Sequence, residues 1–271
     1  MSSDLRIEGL SLSGIRTAIA IPELSLCFDV AQGHPFVLRQ RKFFISHGHL
    51  DHAAGIPFII SQKKMHNEPP PQFYMPPSLI APLTKIVETW AQIEQHNYSP
   101  QFHPVDEKSR IFLNPQYDIQ PFRTCHRIES YGYCLIEKKK KLKKEFQNLS
   151  QKDLQILSQT HTDLNEVIET PLISFSGDTT IDFLDKQPWA KKSKTLLIEC
   201  TYLDQRKTVA HAREWGHIHF DELLPRLSEL ECEKIILIHL SSRYSDKEAQ
   251  KILSERLPGS EKDRVVLFPG R

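Results

Sequence analysis

The sequence predicts a mixed α/β fold, and three observations predict it. Short apolar runs of strand length recur along the whole chain, residues 77–95 carry apolar side chains at helical spacing, and polar residues gather just past several of the strand runs. Residues 5–12, 16–21 and 24–30 alternate apolar and polar side chains between turn signals, so they read as strands of one sheet. Residues 43–46 read as the end of a buried strand. A helix over 55–62, a short strand over 72–75 and the long helix over 77–95 follow, and residues 111–122 return to strand character. From 146 to 170 the chain is polar and weakly helical; residues 172–176 then form a strand, and 195–200 and 234–238 are two further β-rich runs. Ser245-Asp246-Lys247-Glu248 has the form of a capping box, with Ser245 as N-cap and Glu248 three residues on, so the last helix should start there. There is no internal repeat or low-complexity linker, and residues 1–271 read as a single domain.

The most informative stretch is Phe43-Phe44-Ile45-Ser46-His47-Gly48-His49-Leu50-Asp51-His52, which packs three imidazoles and a carboxylate directly after an apolar run. A strand that ends in such a burst delivers its polar side chains to the rim of a sheet, where ligands converge. His47 and His49 can grip one ion from alternate positions, while Asp51 and His52, past the turn, face a neighbouring ion. Neutral imidazole and carboxylate suit Zn²⁺ best, and Mn²⁺ or Fe²⁺ accept the same set. A bare pair of histidines would read as a surface loop; His-x-His-x-Asp-His after a strand is far more specific.

Composition bounds the alternatives. With 271 residues, 39% hydrophobic and 25% charged, the chain can bury a large core. No apolar run approaches the roughly 20 residues of a membrane span, and the first residues lack a basic region followed by an apolar stretch, so a soluble, unexported, cytoplasmic protein is expected. Five cysteines, Cys27, Cys125, Cys134, Cys200 and Cys232, form no Cys-x-x-Cys pair and read as reduced core residues. A net charge of +1 excludes a broadly basic nucleic-acid surface. One local patch exists: Lys138, Lys139, Lys140, Lys141, Lys143 and Lys144 follow a strand-like run that leads away from His126. They read either as phosphate-binding residues beside the metal site or as a solvated loop or strand edge.

His47-x-His49-x-Asp51-His52 is the signature of the metallo-β-lactamase superfamily, and later segments resemble the remaining motifs of ribonuclease Z in order. These are Thr124-Cys125-His126 followed by Ser130-Tyr131-Gly132-Tyr133, then Phe175-Ser176-Gly177-Asp178-Thr179, Ala212-Arg213-Glu214-Trp215-Gly216-His217, and Ile238-His239-Leu240-Ser241-Ser242-Arg243-Tyr244. The similarity runs from about Ile7 to about Val266 and is closest to the short, plant-type ribonuclease Z enzymes that mature the 3′ end of transfer RNA.

The resemblance implies an αββα four-layer sandwich of two mixed sheets, two Zn²⁺ per protomer, a homodimer, and removal of the 3′ trailer from precursor tRNA with a 3′-hydroxyl left behind. It places His47, His49 and His126 on one ion, Asp51, His52 and His239 on the second, and Asp178 between them. Asp51 is then best placed to orient or deprotonate the attacking water, His217 is the candidate proton donor, and Glu199 is the acid that holds it protonated. Glu199 lies in Ile198-Glu199-Cys200-Thr201, where many members have His-Glu-Ala-Thr, so the family's histidine there is replaced by Ile198. Arg243 reads as a phosphate clamp or as half of a structural ion pair. His34, His66, His96, His103, His161, His211 and His219 fall outside the motifs; His219, just before a helix start, reads best as a capping or packing residue. The long Gly- and Pro-rich arm that grips tRNA in longer relatives is missing between residues 127 and 177. A metallo-β-lactamase-fold hydrolase of a small phosphodiester or other ester would keep the same seven ligands but have no use for the lysines, whereas a non-catalytic protein on this fold would have lost ligands.

Overall fold

The computed structural model describes residues 5–160 and 164–269. Its strands are β1 (Glu8–Ser13), β2 (Arg16–Ile21), β3 (Leu26–Phe28), β4 (Lys42–Phe44), β5 (Gln72–Met75), β6 (Gln101–Pro104), β7 (Ile111–Asn114), β8 (Tyr117–Arg123), β9 (Tyr131–Leu142), β10 (Asn165–Phe175), β11 (Thr195–Glu199), β12 (Lys234–Ile238), β13 (Leu240–Ser241) and β14 (Val265–Leu267). They form two mixed seven-stranded sheets, ordered β13-β1-β2-β3-β4-β5-β6 and β14-β12-β11-β10-β9-β8-β7.

The layers follow from side-chain parity. Ile19, Phe28 and Phe44 of the first sheet meet Tyr133, Phe175 and Leu197 of the second in a central core, with the Phe28 and Phe175 rings stacked 5.1 Å apart. Their chain neighbours Ala18, Cys27 and Phe43 point outward, beneath helices Ile56–Met65 and Pro77–Glu94. Cys134, Ile136, Ile198 and Leu237 do the same on the far side, beneath helices that include Asp246–Arg256. Both faces of these strands are therefore apolar: residues 43–45 and 196–198 form unbroken apolar runs for that reason, whereas 16–21 and 24–30, expected to alternate apolar and polar side chains, are instead buried on both faces. Each large side chain withdrawn from water contributes roughly 1.5–3 kcal/mol. The result is the expected αββα sandwich. The last helix starts as expected: Ser245 Oγ accepts from Glu248 N at 3.3 Å and the Glu248 carboxylate accepts from Ser245 N at 2.9 Å.

Three expectations need correction. Among the described residues of the segment 146–170 the α-helix is confined to Gln151–Thr160; residues 165–170 belong to β10, an 11-residue strand that continues through the predicted run at 172. Residues 165–169 are exposed, so nothing enforces an alternation of apolar and polar side chains, and the register shift at Pro171 breaks the pattern again. Second, β6 and the one-turn helix Leu50–Ala53 were not legible as separate elements. Third, the lysine run does not lie beside the metal site. Strand β9 begins next to the His126 turn and runs away from it, which carries Lys138 to Lys141 roughly 23–33 Å along the strand at about 3.3 Å per residue. Past Glu137 neither β8 nor β11 keeps pace, so β9 and β10 continue as a two-stranded ribbon with Lys138 opposite Glu169 and Lys141 opposite Glu166.

Candidate metal centre

Strands β3, β4, β8, β10, β11 and β12 all deliver polar residues to one rim. Asp29 follows β3, the His47 to His52 cluster follows β4, His126 follows β8, Asp178 follows β10, Glu199 ends β11 and His239 follows β12. His217 joins them from the loop after helix Val209–Glu214. Helix Leu50–Ala53 turns Asp51 and His52 away from His47 and His49, so the local motif splits into two groups.

One group of ligand atoms comes from His47, His49, His126 and Asp178, and a second from Asp51, His52 and His239, with Asp178 also close to His217 and His239. In the first, His47 Nε2 lies 3.0 Å from His49 Nδ1, which is 3.4 Å from His126 Nε2; Asp178 Oδ2 is 3.6 Å from His47 Nε2. In the second, His239 Nε2 lies 3.4 Å from both His52 Nε2 and Asp51 Oδ2, and His52 Nε2 is 3.5 Å from Asp51 Oδ2. Asp178 reaches this group through Oδ1, 3.4 Å from His52 Nε2, and Oδ2, 3.4 Å from His239 Nε2. Tetrahedral ligands at ~2.0–2.1 Å from an ion sit roughly 3.3 Å from one another, and these separations match that spacing. Asp178 Oδ1 is buried with no hydrogen-bond partner, a costly state for a carboxylate oxygen unless a cation faces it. The residues present fit metal.

The hydrogen bonds behind the ligands fix which nitrogen points inward. Ser46 Oγ donates to Asp29 Oδ2 at 2.8 Å, so its oxygen accepts from His47 Nδ1 at 2.9 Å and the lone pair of Nε2 faces the cluster. His52 Nδ1 donates to Asp29 Oδ2 at 2.7 Å, His126 Nδ1 to Gly216 O at 3.0 Å, and His239 Nδ1 to Thr201 Oγ1 at 3.1 Å, whose hydroxyl donates to Glu199 Oε2 at 3.0 Å. Asp29, fully buried, thus orients a histidine in each group, although no sequence motif marks it. Its only signal in the chain is an acidic residue at the end of an apolar run. Asp29, Gly177 and His239 all adopt left-handed backbone, φ 52°, 60° and 59°, where the chain must turn sharply off a strand end. A Cβ on Gly177 would lie 2.7 Å from Ser46 Cβ, so this position has room only for glycine.

The electrostatics agree with a ligating state. Burial is the main reason that His47, His49 and His126 lie below their ordinary value, and neutral imidazole is the form that binds metal. Burial would raise Asp51 and Asp178, yet the neighbouring His239 and His52 hold both carboxyls well below the usual range. His52 is also buried, but Asp178 and Asp29 raise it well above its ordinary value. The carboxylates here demand positive charge, the demand a divalent ion meets. His217 is opposed by burial but raised to about 9 by Glu199 and then Asp178. Its Nδ1 lies 3.0 Å from Glu199 Oε1 and 4.0 Å from Asp178 Oδ2. Glu199 is completely buried and also accepts from Thr179 N and Thr201 N.

The other expected residues are distributed differently. Arg243 is exposed, approaches Ser241 Oγ at 3.4 Å and has no carboxylate partner among the described residues. Lys138 pairs with Asp118 at 2.6 Å and Lys139 with Glu137 at 2.8 Å. His219 is a buried cap: Nδ1 accepts from Asp221 N, and Nε2 donates toward the carbonyls of Asp204 and Lys207, each at 3.0 Å. His161 lies outside the described residues.

A sandwich of two mixed sheets with a His/Asp cluster on one rim defines a metallo-β-lactamase-fold hydrolase. A family model described as "Anti-Pycsar protein Apyc1" matches residues 32–256. The tRNase Z TRZ1 of Arabidopsis thaliana is 33% identical over 266 residues, which cover 97% of this chain and 95% of that one. Among solved structures, the short form of human tRNase Z, ELAC1, superposes with a TM-score of 0.62 at 16% identity over 98% of this chain and 96% of the other. The metallo-beta-lactamase fold protein YhfI of Bacillus subtilis gives 0.61 at 15% identity over 96% and 95%. These two likenesses carry the fold. The chain belongs to the family that the Apyc1 model describes and, by its full-length likeness to the plant enzyme, to the tRNase Z family; it is a hydrolase of the endoribonuclease class.

Proposed function

We propose that this endoribonuclease removes the 3′ trailer from precursor tRNA with two divalent ions, zinc by preference, held by His47, His49, His126, Asp51, His52, His239 and a bridging Asp178. The carrying observation is the pair of His/Asp groups at metal-ligand spacing, with Asp178 within 3.6 Å of His47 in one and 3.4 Å of His52 and His239 in the other. Imidazole and carboxylate donors favour zinc, and manganese or iron accept the same set. When bound, such ions would supply positive charge that lowers the pKa of a nearby water and offsets the charge building on the phosphate. Asp51, anchored through Oδ2 by Gly14 N at 2.9 Å, orients or deprotonates that water. The water attacks phosphorus, the bond from phosphorus to the 3′ oxygen breaks, and the trailer keeps the phosphate. His217, held by Glu199, gives its proton to the departing 3′ oxygen, which becomes the 3′-hydroxyl of the tRNA.

The exposed ribbon stands in the segment where longer relatives carry their arm, and it is the reduced element that grips the RNA body far from the cut. Lys138 and Lys139 are partly neutralised, so Lys140, Lys141 and Lys144, which have no carboxylate partner among the described residues, carry most of this, with Lys143 beside them. Arg243, nearer the rim, takes a phosphate closer to the cleavage point. The working unit is a homodimer. Helix Pro77–Glu94 supports this: Ile86, Trp90 and Ile93 form an exposed apolar stripe at i, i+4 and i+7. No helix among the described residues is long and apolar enough to cross a membrane.

Metal-loaded protein incubated with precursor tRNA should release a 5′-phosphorylated trailer, contain two ions per chain and sediment as a dimer. Hydrolysis of bis(p-nitrophenyl) phosphate with precursor left intact would instead indicate a small-phosphodiester hydrolase. One ion per chain, or a monomer at micromolar concentration, would remove the corresponding part of the proposal. Changing Lys140, Lys141 and Lys144 to Ala should weaken precursor binding and flatten its salt dependence, by roughly 0.7–0.9 in the log–log slope for each phosphate that is no longer neutralised. Turnover of the small diester should stay at the parental rate. Unchanged precursor binding at every salt concentration would make the ribbon a solvated edge.

A further inference from the structure

We propose that Trp215 and Arg127 form a stacking platform for an unpaired nucleobase next to the scissile phosphate, so that the site reads a base as well as the backbone. This rests on RNA being the substrate. Gly216, in left-handed conformation at φ 77°, ends helix Val209–Glu214 and leaves Trp215 at its last turn, two residues before His217. The Gly216 carbonyl orients His126, and a Cβ added at Gly216 would lie 2.7 Å from His126 Nδ1 and 3.3 Å from Arg127 Cγ. The stem of Arg127 therefore lies against Gly216, beside a ligand histidine. Its guanidinium sits over the Trp215 ring, 4.8 Å from the centroid, and no carboxylate among the described residues pairs with it. Trp215 stays 49% exposed.

One exposed tryptophan on a surface needs no explanation. Here the same rim also exposes Leu50, 77%, between His49 and Asp51, and Ile128, 40%, two residues after His126. An apolar collar that carries an unneutralised planar cation fits a flat base attached to a phosphate. Unstacked RNA bases are held on aromatic rings and guanidinium planes in this way, and the nucleotides at a 3′ processing site are free of the duplex stack. A phosphate-only site would have needed the cation without the indole.

The test uses precursor RNAs identical except for an abasic residue just 5′ or just 3′ of the cut. Trp215→Ala should raise KM for the intact precursor roughly five- to hundredfold, the effect of losing one base stack, with kcat close to the parent. With the abasic RNA at the stacked position, parent and variant should have the same KM. Trp215→Phe should recover most of the affinity, and Arg127→Lys, which keeps charge but not the plane, should recover less. A Trp215→Ala loss that persists on both abasic RNAs, or that falls on kcat alike for all three, would make Trp215 a prop for His126 and overturn the platform. Parent protein that leaves precursor intact, yet shows indole quenching by a single-stranded RNA that Trp215→Phe abolishes, would overturn the tRNA reading while keeping the platform.

Discussion

Asp178→Ala is expected to lose at least one metal ion per chain and to lower precursor cleavage by about three orders of magnitude or more. Asp178 is the carboxylate that both ligand groups share, facing His47 on one side and His52 and His239 on the other. Two unit charges 4 Å apart repel by about 4 kcal/mol at an effective dielectric of 20, and two divalent ions by about four times that. A shared carboxylate is what makes such close approach tolerable, so the second ion should leave first. Removing a side chain that sits only 2% exposed also takes away the carboxylate that faces His47, His52 and His239. Elemental analysis after reconstitution checks this: full metal content and near-parental turnover in Asp178→Ala would refute the bridging role.

His217→Ala is expected to behave differently, keeping its metal while losing roughly 10²–10⁴ in kcat, the usual worth of a positioned proton donor. The pH dependence has a definite sign. Glu199 and Asp178 raise His217 to about 9 against its burial, so the imidazole stays protonated at neutral pH and is lost as a donor when pH rises through that value. Divalent ions bound nearby push it back toward its ordinary value, so the alkaline limb of kcat should fall between about pH 6.5 and about 9. The variant should lack that limb. Stability linked to this group is complete below about pH 6.5 and is lost over the same interval, because the raised value belongs to the folded state. Metal loss equal to that of Asp178→Ala, or an unchanged alkaline limb, would end the proton-donor assignment.

The sequence by itself determined which histidines and aspartates gather at one rim, where the buried strand ends lie and where the last helix is capped, because each is written in local spacing. His47 to His52 are neighbours whose chemical types few other roles require; Phe43, Phe44 and Leu196 to Ile198 show both faces buried; Ser245 and Glu248 lie one helical turn apart. Only the tertiary structure decided what joins across the chain. Asp29 becomes the common support of His47 and His52 because β3 and β4 are parallel and end together, with Phe28 beside Phe44. Glu199 meets His217 because β11 ends at the rim on which the helix before Gly216 also unloads its loop. The lysine run, a short way past His126 in sequence, ends up at the other end of the sheet because a strand carries its residues away from the turn at about 3.3 Å each. Spacing along the chain encodes which face a residue takes; strand direction and register, set by packing of the whole core, encode which rim it reaches.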